Sequence, residues 1–240
     1  MHDIRYDEVN DEIIVGNPFG QAILTFRGGA SGNEAPIRTI QGPATRLSMP
    51  DNLSVDPINN ETYVPDVEGV LVFPRTGNGN VAPVRRFWGD NWEPSSVDVD
   101  HIHDVVVVAG TYGKPGERRR SSIMIFDRNV QGKVEPKAVI SGPRTGLIAM
   151  RQIDVFPEKG MIVVSQITNA SIAEPEHTFI GVWSINDNGD VPPRWKIDGE
   201  ARNVMKKPRG VVVNPKHREV IVADMRLNAV LTFSLPEMFR

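Results

Sequence analysis

Short apolar stretches rich in β-branched residues recur along the chain, and turns that carry Gly, Pro, Asn and Asp separate them. Such stretches, flanked by turn residues, favour strands over helices. Their apolar runs are continuous rather than alternating, as expected where both faces of a sheet are covered. Five of them occupy residues 13–15, 62–64, 105–108, 161–164 and 220–222. The pattern therefore predicts an all-β protein.

A second pattern, Phe-x5-Gly-x3-Pro-x5-Gly, identifies the chain as a repeat protein. It occurs four times, once with Trp in place of Phe, and successive copies begin 47, 53 and 57 residues apart. The copies are Phe26-Gly32-Pro36-Gly42, Phe73-Gly79-Pro83-Gly89, Phe126-Gly132-Pro136-Gly142 and Trp183-Gly189-Pro193-Gly199. The first glycine of each copy falls in a long turn, where we expect it to adopt a positive φ.

Each repeat contains four strand candidates, which in the second repeat are residues 53–56, 62–65, 70–73 and 83–88. Four-stranded antiparallel units with two apolar faces are typical of the blades of a β-propeller. A β-sandwich is the alternative, but its strands would show alternation. The predicted fold is an all-β propeller of about five four-stranded antiparallel blades in one domain. The predicted blades are residues 4–50, 51–95, 96–151, 152–209 and 210–240.

The fifth repeat supplies only three strands, because no Gly-Pro-Gly module follows Phe233. The chain is then either a five-bladed propeller with a short last blade or part of a larger propeller. An exposed edge on the third strand would invite pairing with another chain. Assembly through the unclosed last blade is therefore one functional hypothesis.

Three stretches resemble NHL repeats and the related regucalcin and gluconolactonase-like propellers. They are Leu-Ser-Val-Asp-Pro at 53–57, Ile-Met-Ile-Phe at 123–126 and Val-Ile-Val-Ala-Asp at 220–224. The resemblance covers almost the whole chain and implies a propeller whose loops gather around the axis on one face, the default binding site. Propellers of this type include scaffolds, receptors, lyases and hydrolases, so the resemblance implies no single function.

Basic residues accumulate in the loops that the resemblance places on that face. Net charge is −3, so an anionic partner would need such a local patch. The candidates are Arg118, Arg119, Arg120, Arg144, Arg151, Arg202, Lys206, Lys207 and Arg209. The acidic residues of this face lie on the second blade. This uneven charge predicts a partner such as an acidic peptide, a glycan or an RNA loop; the alternative is that the basic residues form a solvated rim without a partner. Trp92 is a candidate stacking residue near this face, but packing between blades is the preferred interpretation.

An enzymatic role, as a lactonase-like hydrolase or a lyase, is the second hypothesis. The resemblance implies oxygen ligands from several blades around a divalent cation, and hard oxygen ligands suit Ca²⁺ or Mg²⁺. The candidates are Asn17, Asn52, Asp66, Asn203 and Asp224. Turn capping is the alternative for Asp66 and Asp224. His101 and His103 are interpreted as residues of a solvated turn rather than zinc ligands.

Composition narrows these hypotheses only slightly. The chain has no cysteine, which excludes disulfides and cysteine nucleophiles. No apolar run is long enough to span a bilayer, so no membrane role is predicted. The first residues do not form a signal peptide, and an extracytoplasmic location would require processing or trimming of the chain. The leading hypothesis is a non-catalytic recognition or scaffold domain that needs no cofactor and binds a protein or another anionic ligand.

Overall fold

The strands fold into five small antiparallel sheets arranged as the blades of a propeller, in a computed structural model that describes residues 3–199 and 204–240. The first blade contains β1 (Asp3–Asp7), β2 (Glu12–Asn17), β3 (Ala22–Arg27) and β4 (Arg38–Gln41). The second contains β5 (Ser54–Asp56), β6 (Glu61–Asp66), β7 (Gly69–Pro74) and β8 (Arg85–Trp88). The third contains β9 (Trp92–Asp100), β10 (Val105–Tyr112), β11 (Arg120–Asp127) and β13 (Ala138–Ile140), while β12 (Gly132–Lys133) pairs with β8. The last two contain β14 (Ala149–Phe156), β15 (Met161–Ile167), β16 (Phe179–Ser184) and β17 (Trp195–Asp198), then β18 (Pro208–Asn214), β19 (Glu219–Asp224) and β20 (Ala229–Ser234).

The predicted propeller is thereby confirmed, with four strands in each of four blades and three in the last. Within each blade the strands follow the chain order and pair as an antiparallel meander. The first strands of neighbouring blades contact one another around the axis. Among the described residues, no helix has the length and apolar character needed to cross a membrane.

The second strands are continuously apolar because each sheet is covered on both faces. In β10, Val105 and Val107 pack into the cluster shared with the fourth blade. Val106 and Val108, which point the other way, pack into the cluster shared with the second blade. Four such clusters lie between the five sheets and hold neighbouring blades together.

The repeated glycines join blades as well as reversing the chain. Gly79 has a φ of 76° and Gly189 a φ of 80°, a conformation that favours glycine. Gly79 N donates to Thr39 O of the first blade at 2.6 Å, and Gly189 N donates to Val139 O of the third at 2.7 Å. The turn between the third and fourth strands of one blade therefore holds the fourth strand of the blade before it.

Candidate functional site

A cavity of about 850 Å³ lies along the propeller axis and is lined by residues from the first strands of all five blades. In the first four blades these strands differ from the second strands in carrying polar residues at alternate positions, as in β1 (Asp-Ile-Arg-Tyr-Asp). Alternation places the polar side chains on the face that points to the axis and the apolar ones between the sheets. The polar side chains of these strands therefore meet in the cavity, beside apolar residues that supply most of its lining.

Arg5 occupies the centre of this lining and connects three blades. Its Nη1 donates to Asp154 Oδ1 at 2.9 Å and its Nη2 to Ile153 O at 3.1 Å, both in the fourth blade. Its Nε donates to Leu53 O in the second blade at 3.0 Å. Burial lowers the pKa of Arg5, but Asp3, Asp98 and Asp154 together raise it above its ordinary value. The guanidinium is therefore held charged and fully bonded.

Two buried carboxylates, Asp98 and Asp154, lie beside Arg5 and tie each blade to the next. Asp98 accepts from Ser54 Oγ at 2.5 Å and from Val155 N at 2.7 Å, and Asp154 Oδ2 accepts from Val213 N at 2.8 Å. Burial, followed by the charge of Asp98, raises the pKa of Asp154 to about 7, against the lowering effect of Arg5. The oxygens of both carboxylates are occupied by structural hydrogen bonds.

The next layer along the axis repeats this pattern with Asp3 and Gln152. Asp3 Oδ2 accepts from Leu53 N at 2.9 Å, and Asp3 Oδ1 accepts from Gln152 Nε2 at 2.7 Å. Gln152 Oε1 accepts from Val211 N at 2.8 Å. Burial raises the pKa of Asp3, while Arg5 lowers it. This layer therefore joins the first blade to both the second and the fourth.

At the mouth of the cavity, Arg151 and Arg209 stand at equivalent β-bulges. The pairing register shifts between Met150 and Gln152 in β14 and between Pro208 and Gly210 in β18, so one arginine occupies each shift. Counting back from the ends of the first strands places Asp51 and Ser95 at the same position of the second and third blades. Of these residues, Asp51, Arg151 and Arg209 line the mouth of the cavity.

The two mouth arginines differ from Arg5 in their environment. Arg151 Nε is buried and has no hydrogen-bond partner among the described residues. Burial lowers the pKa of Arg151, the charge of Arg209 lowers it further, and Asp51 raises it. Both arginines line the cavity. Two like charges thus face the same space, and one of them keeps an unused buried donor.

The other predicted basic residues lie elsewhere. Arg118 and Arg120 line a separate groove of about 460 Å³ on the third blade. Arg119 is ion-paired with Glu93 and donates to Asp90 O at 2.6 Å. Arg144 is exposed on a one-turn 3-10 helix, Pro143–Thr145. These residues therefore do not form one surface with Arg151 and Arg209.

Lys206 and Lys207 serve the structure of the last two blades. Lys207 is buried, and its Nζ donates to Ile172 O at 2.7 Å, which anchors the long loop between β15 and β16. Lys206 Nζ lies 3.8 Å from Glu174 in the same loop. Arg202, also among the predicted basic residues, lies outside the described residues.

Trp92 lies in the core rather than on the binding face. It is only 2% exposed, and its Nε1 donates to Val134 O at 2.9 Å. Its ring packs against Phe126 at 5.0 Å and Phe87 at 6.0 Å between centroids. This corrects its sequence-based placement in the binding set, because the indole fills the space between two blades and leaves no face for a ligand.

The metal-ligand candidates are dispersed, and of the described ones only Asn52 lines the axial cavity. Asp66 Oδ2 accepts from Ser48 N at 2.9 Å, and Asp224 Oδ2 accepts from Lys206 N at 2.7 Å. Asn17 Oδ1 accepts from Gly20 N at 3.0 Å within its turn. Asn203 lies outside the described residues. No three acidic, His or Cys side chains within residues 3–199 and 204–240 are grouped to hold a metal ion.

Asp66 and Asp224 instead anchor the loops that lead into the first strands. Gln166 does the same in the fourth blade, where its Oε1 accepts from Ile148 N at 2.9 Å. His103 has an equally local role, since its Nδ1 lies 2.8 Å from Asp100 Oδ2 in a tight turn. Asn59 makes the corresponding contact with Asp56. These residues therefore stabilise equivalent turns and loops in different blades.

Sequence reasoning missed the axial residues Asp3, Arg5, Asp98 and Asp154. A signal for them was present, since every first strand up to the fourth blade alternates polar with apolar residues. The second strands, in contrast, are continuously apolar. That contrast identifies which strand faces the axis.

No family model and no curated protein matches the chain in the comparisons made. Solved structures do match it, and 395 chains do so, which makes the fold too widespread to indicate a function. One is Kuenenia stuttgartiensis hydrazine synthase, with a TM-score of 0.61 and 14% sequence identity. The match covers 91% of this chain and 54% of that chain, so this chain spans about half its length. At this identity the likeness shows the β-propeller fold alone.

Proposed function

We propose that this propeller is a recognition domain that binds an acidic, partly apolar segment of a partner protein at the mouth of its axial cavity. The observation that carries the proposal is the buried, unpartnered Nε of Arg151 beside the second cation, Arg209. A buried donor left unbonded costs free energy, and so does a pair of like charges. A bound carboxylate would relieve both costs at once.

The chemistry of the mouth suits a carboxylate in particular. An arginine presents its donors in a planar fork that matches the two oxygens of a carboxylate. On the last blade, Val212, Ile221 and Ala223 contribute apolar surface to the same cavity. A ligand with one carboxylate and an adjacent apolar side chain would contact both regions, as a segment containing Glu and Leu does.

The lactonase-like alternative would place a divalent cation on the axis among oxygen ligands. In this protein the positive charge at that place belongs to Arg5, which lies among Asp3, Asp98 and Asp154. A second cation would have to compete with a guanidinium that is held by hydrogen bonds to two blades. Recognition is therefore the function that the geometry favours.

The test measures binding of a fluorescent hexapeptide of alternating Glu and Leu by anisotropy. Because hydrogen bonds to charged groups contribute about 1.5–3 kcal/mol, Arg151→Gln or Arg209→Gln should weaken binding about tenfold or more. Lys159→Gln, an exposed cation at the opposite end of the same strand, is the matched control and should leave affinity unchanged. Binding should weaken as salt rises.

Two results would contradict the proposal. Equal affinity of the wild-type protein and both arginine variants would remove the mouth as the site. Tighter binding of heparin or of a single-stranded RNA oligonucleotide than of the peptide would show that the ligand is a glycan or an RNA rather than an acidic protein. An alternating Lys-Leu hexapeptide, which has the same apolar content, should not bind.

A further inference from the structure

Two sheet faces of the propeller are apolar and uncovered, one on each side of the gap between the first and last blades. Five sheets have ten faces, and the four clusters between neighbouring blades account for eight. The remaining face of the first blade carries Ile4 at 59% and Tyr6 at 60% exposure; Leu24 and Phe26 lie on the same face in β3, beyond Val15, which is buried, and Ile13. That of the last blade carries Val212 and Val230. We call these the open faces.

The first blade also carries a turn of the kind that holds a preceding blade elsewhere in the protein. In the second blade, Gly79 N donates to Thr39 O at 2.6 Å and Gly79 O accepts from Gln41 N at 3.1 Å. Asn80 Oδ1 accepts from Ala44 N at 2.7 Å, at the start of the one-turn 3-10 helix that follows β4. These three bonds fix the fourth strand of the first blade.

The fourth blade repeats the same arrangement with different residues. Gly189 N donates to Val139 O at 2.7 Å, and Gly189 O accepts from Ser141 N at 3.1 Å. Asp190 Oδ1 accepts from Arg144 N at 2.7 Å. A glycine with positive φ therefore receives the preceding fourth strand, followed by Asn80 in the second blade and Asp190 in the fourth, and by Lys133 after Gly132 in the third.

Gly32 and Asn33 form this element in the first blade, where nothing described occupies it. Gly32 has a φ of 63°, like its counterparts, and both residues are exposed. No fourth strand within residues 3–199 and 204–240 lies against them. The first blade thus presents both the apolar face and the receiving turn of a blade interface.

We infer that the open face of the first blade is a docking surface for a further propeller blade supplied by a partner protein. The blade must be an antiparallel sheet with one apolar face, to cover Ile4 and Tyr6. It must also end in a fourth strand and a tight turn, because Gly32 and Asn33 would form hydrogen bonds with the backbone groups of such a segment.

A second copy of this chain does not meet these requirements. Blades one to four have fourth strands, but each is already covered by the blade that follows it. The last blade has an open face but contains three strands, with no fourth strand after β20 (Ala229–Ser234). The occupant that we infer is therefore not a second copy of this sequence.

The test adds a blade of known structure as the probe. A copy of residues 96–151, the third blade with its fourth strand and 3-10 turn, is fused directly before Asp3. This keeps the repeat register, because Gln152, which follows residue 151, is equivalent to Asp3. Hydrogen exchange of the peptide covering residues 28–36 should slow about tenfold or more, since Gly32 N gains an acceptor. The thermal midpoint should rise.

Ile4→Lys provides the matched control. In the unfused chain Ile4 is mostly exposed, so the substitution should leave the midpoint nearly unchanged. In the fused chain it would bury a charge at the new interface and should abolish the protection of residues 28–36. Asn33→Ala should reduce that protection partly. The turn around Gly79, already occupied, should exchange at the same rate in every variant.

Two outcomes would overturn the inference. A fused blade that remains protease-sensitive and leaves residues 28–36 unprotected would show that the open face does not receive a blade. A stable dimer of the unfused chain in sedimentation, with residues 28–36 protected, would show that a second copy covers the face.

Discussion

Arg5 and Arg151 lie in the same cavity and in equivalent first strands, yet their surroundings are opposite. Arg5 donates from all three of its nitrogens and lies among three carboxylates. Arg151 keeps a buried nitrogen without a partner and faces Arg209. The same side chain therefore joins blades at one position and keeps an unused donor at another, because its neighbours differ.

The largest expected effect follows from removing Arg5. Arg5→Met would leave Asp154 and Asp98 buried without their cation, which costs about 3–5 kcal/mol of the free energy of unfolding. Urea unfolding measures this loss. A loss below about 1 kcal/mol would mean that Arg5 does not hold the axis together.

A smaller effect concerns pH, and its sign follows from Asp154. Its pKa is raised to about 7 by burial, from a value near 3.9 in the unfolded chain, so the folded state binds more protons between these values. The free energy of unfolding should therefore fall as pH rises from about 4 to 7, by about 3 kcal/mol. Asp154→Asn should flatten this dependence in urea titrations at several pH values. An equally steep dependence in the variant would assign it to other groups.

Arg151 should behave in the opposite way to Arg5. Arg151→Leu removes an unsatisfied donor and a repulsion with Arg209, so we expect the free energy of unfolding to rise or stay level, by at most about 1 kcal/mol. The same urea experiment measures it. A loss comparable with that of Arg5→Met would show that Arg151 is structural and would weaken the proposed site.

The smallest expected effect concerns Asp51, whose charge opposes an anionic ligand. Asp51→Asn should tighten binding of the Glu-Leu hexapeptide about threefold, with the gain shrinking at high salt. Anisotropy titrations at two salt concentrations measure it, with Asp127→Asn, an exposed acid of the third blade, as the control. Weaker binding in Asp51→Asn would mean that Asp51 orients Arg151 rather than competing for it.

The fold was predictable because its information is local and repeated. Strand length, turn residues and the glycine module recur from blade to blade, so a wrong strand assignment in one blade would have left the assignments in the other blades unchanged. The open end after Phe233 was also visible, since the module stops there.

The site was only partly predictable because it depends on contacts between distant residues. Arg151 and Arg209 were identified with other basic residues by their loop positions. Nothing in the sequence indicates that Lys207 reaches Ile172 or that Arg119 pairs with Glu93, and only these contacts separate engaged cations from available ones. Trp92 was misplaced for the same reason, since the carbonyl that accepts its indole N–H belongs to Val134.

The hydrogen bonds that pass from each first strand to the next have a consequence for how the protein opens. The first blade is bonded to the second through Leu53 and, across the axis, to the fourth through Asp154. The last blade is held from one side, through Val211 and Val213. We therefore expect transient detachment to start with β18 to β20, which would peel away as a unit while the other four sheets stay joined.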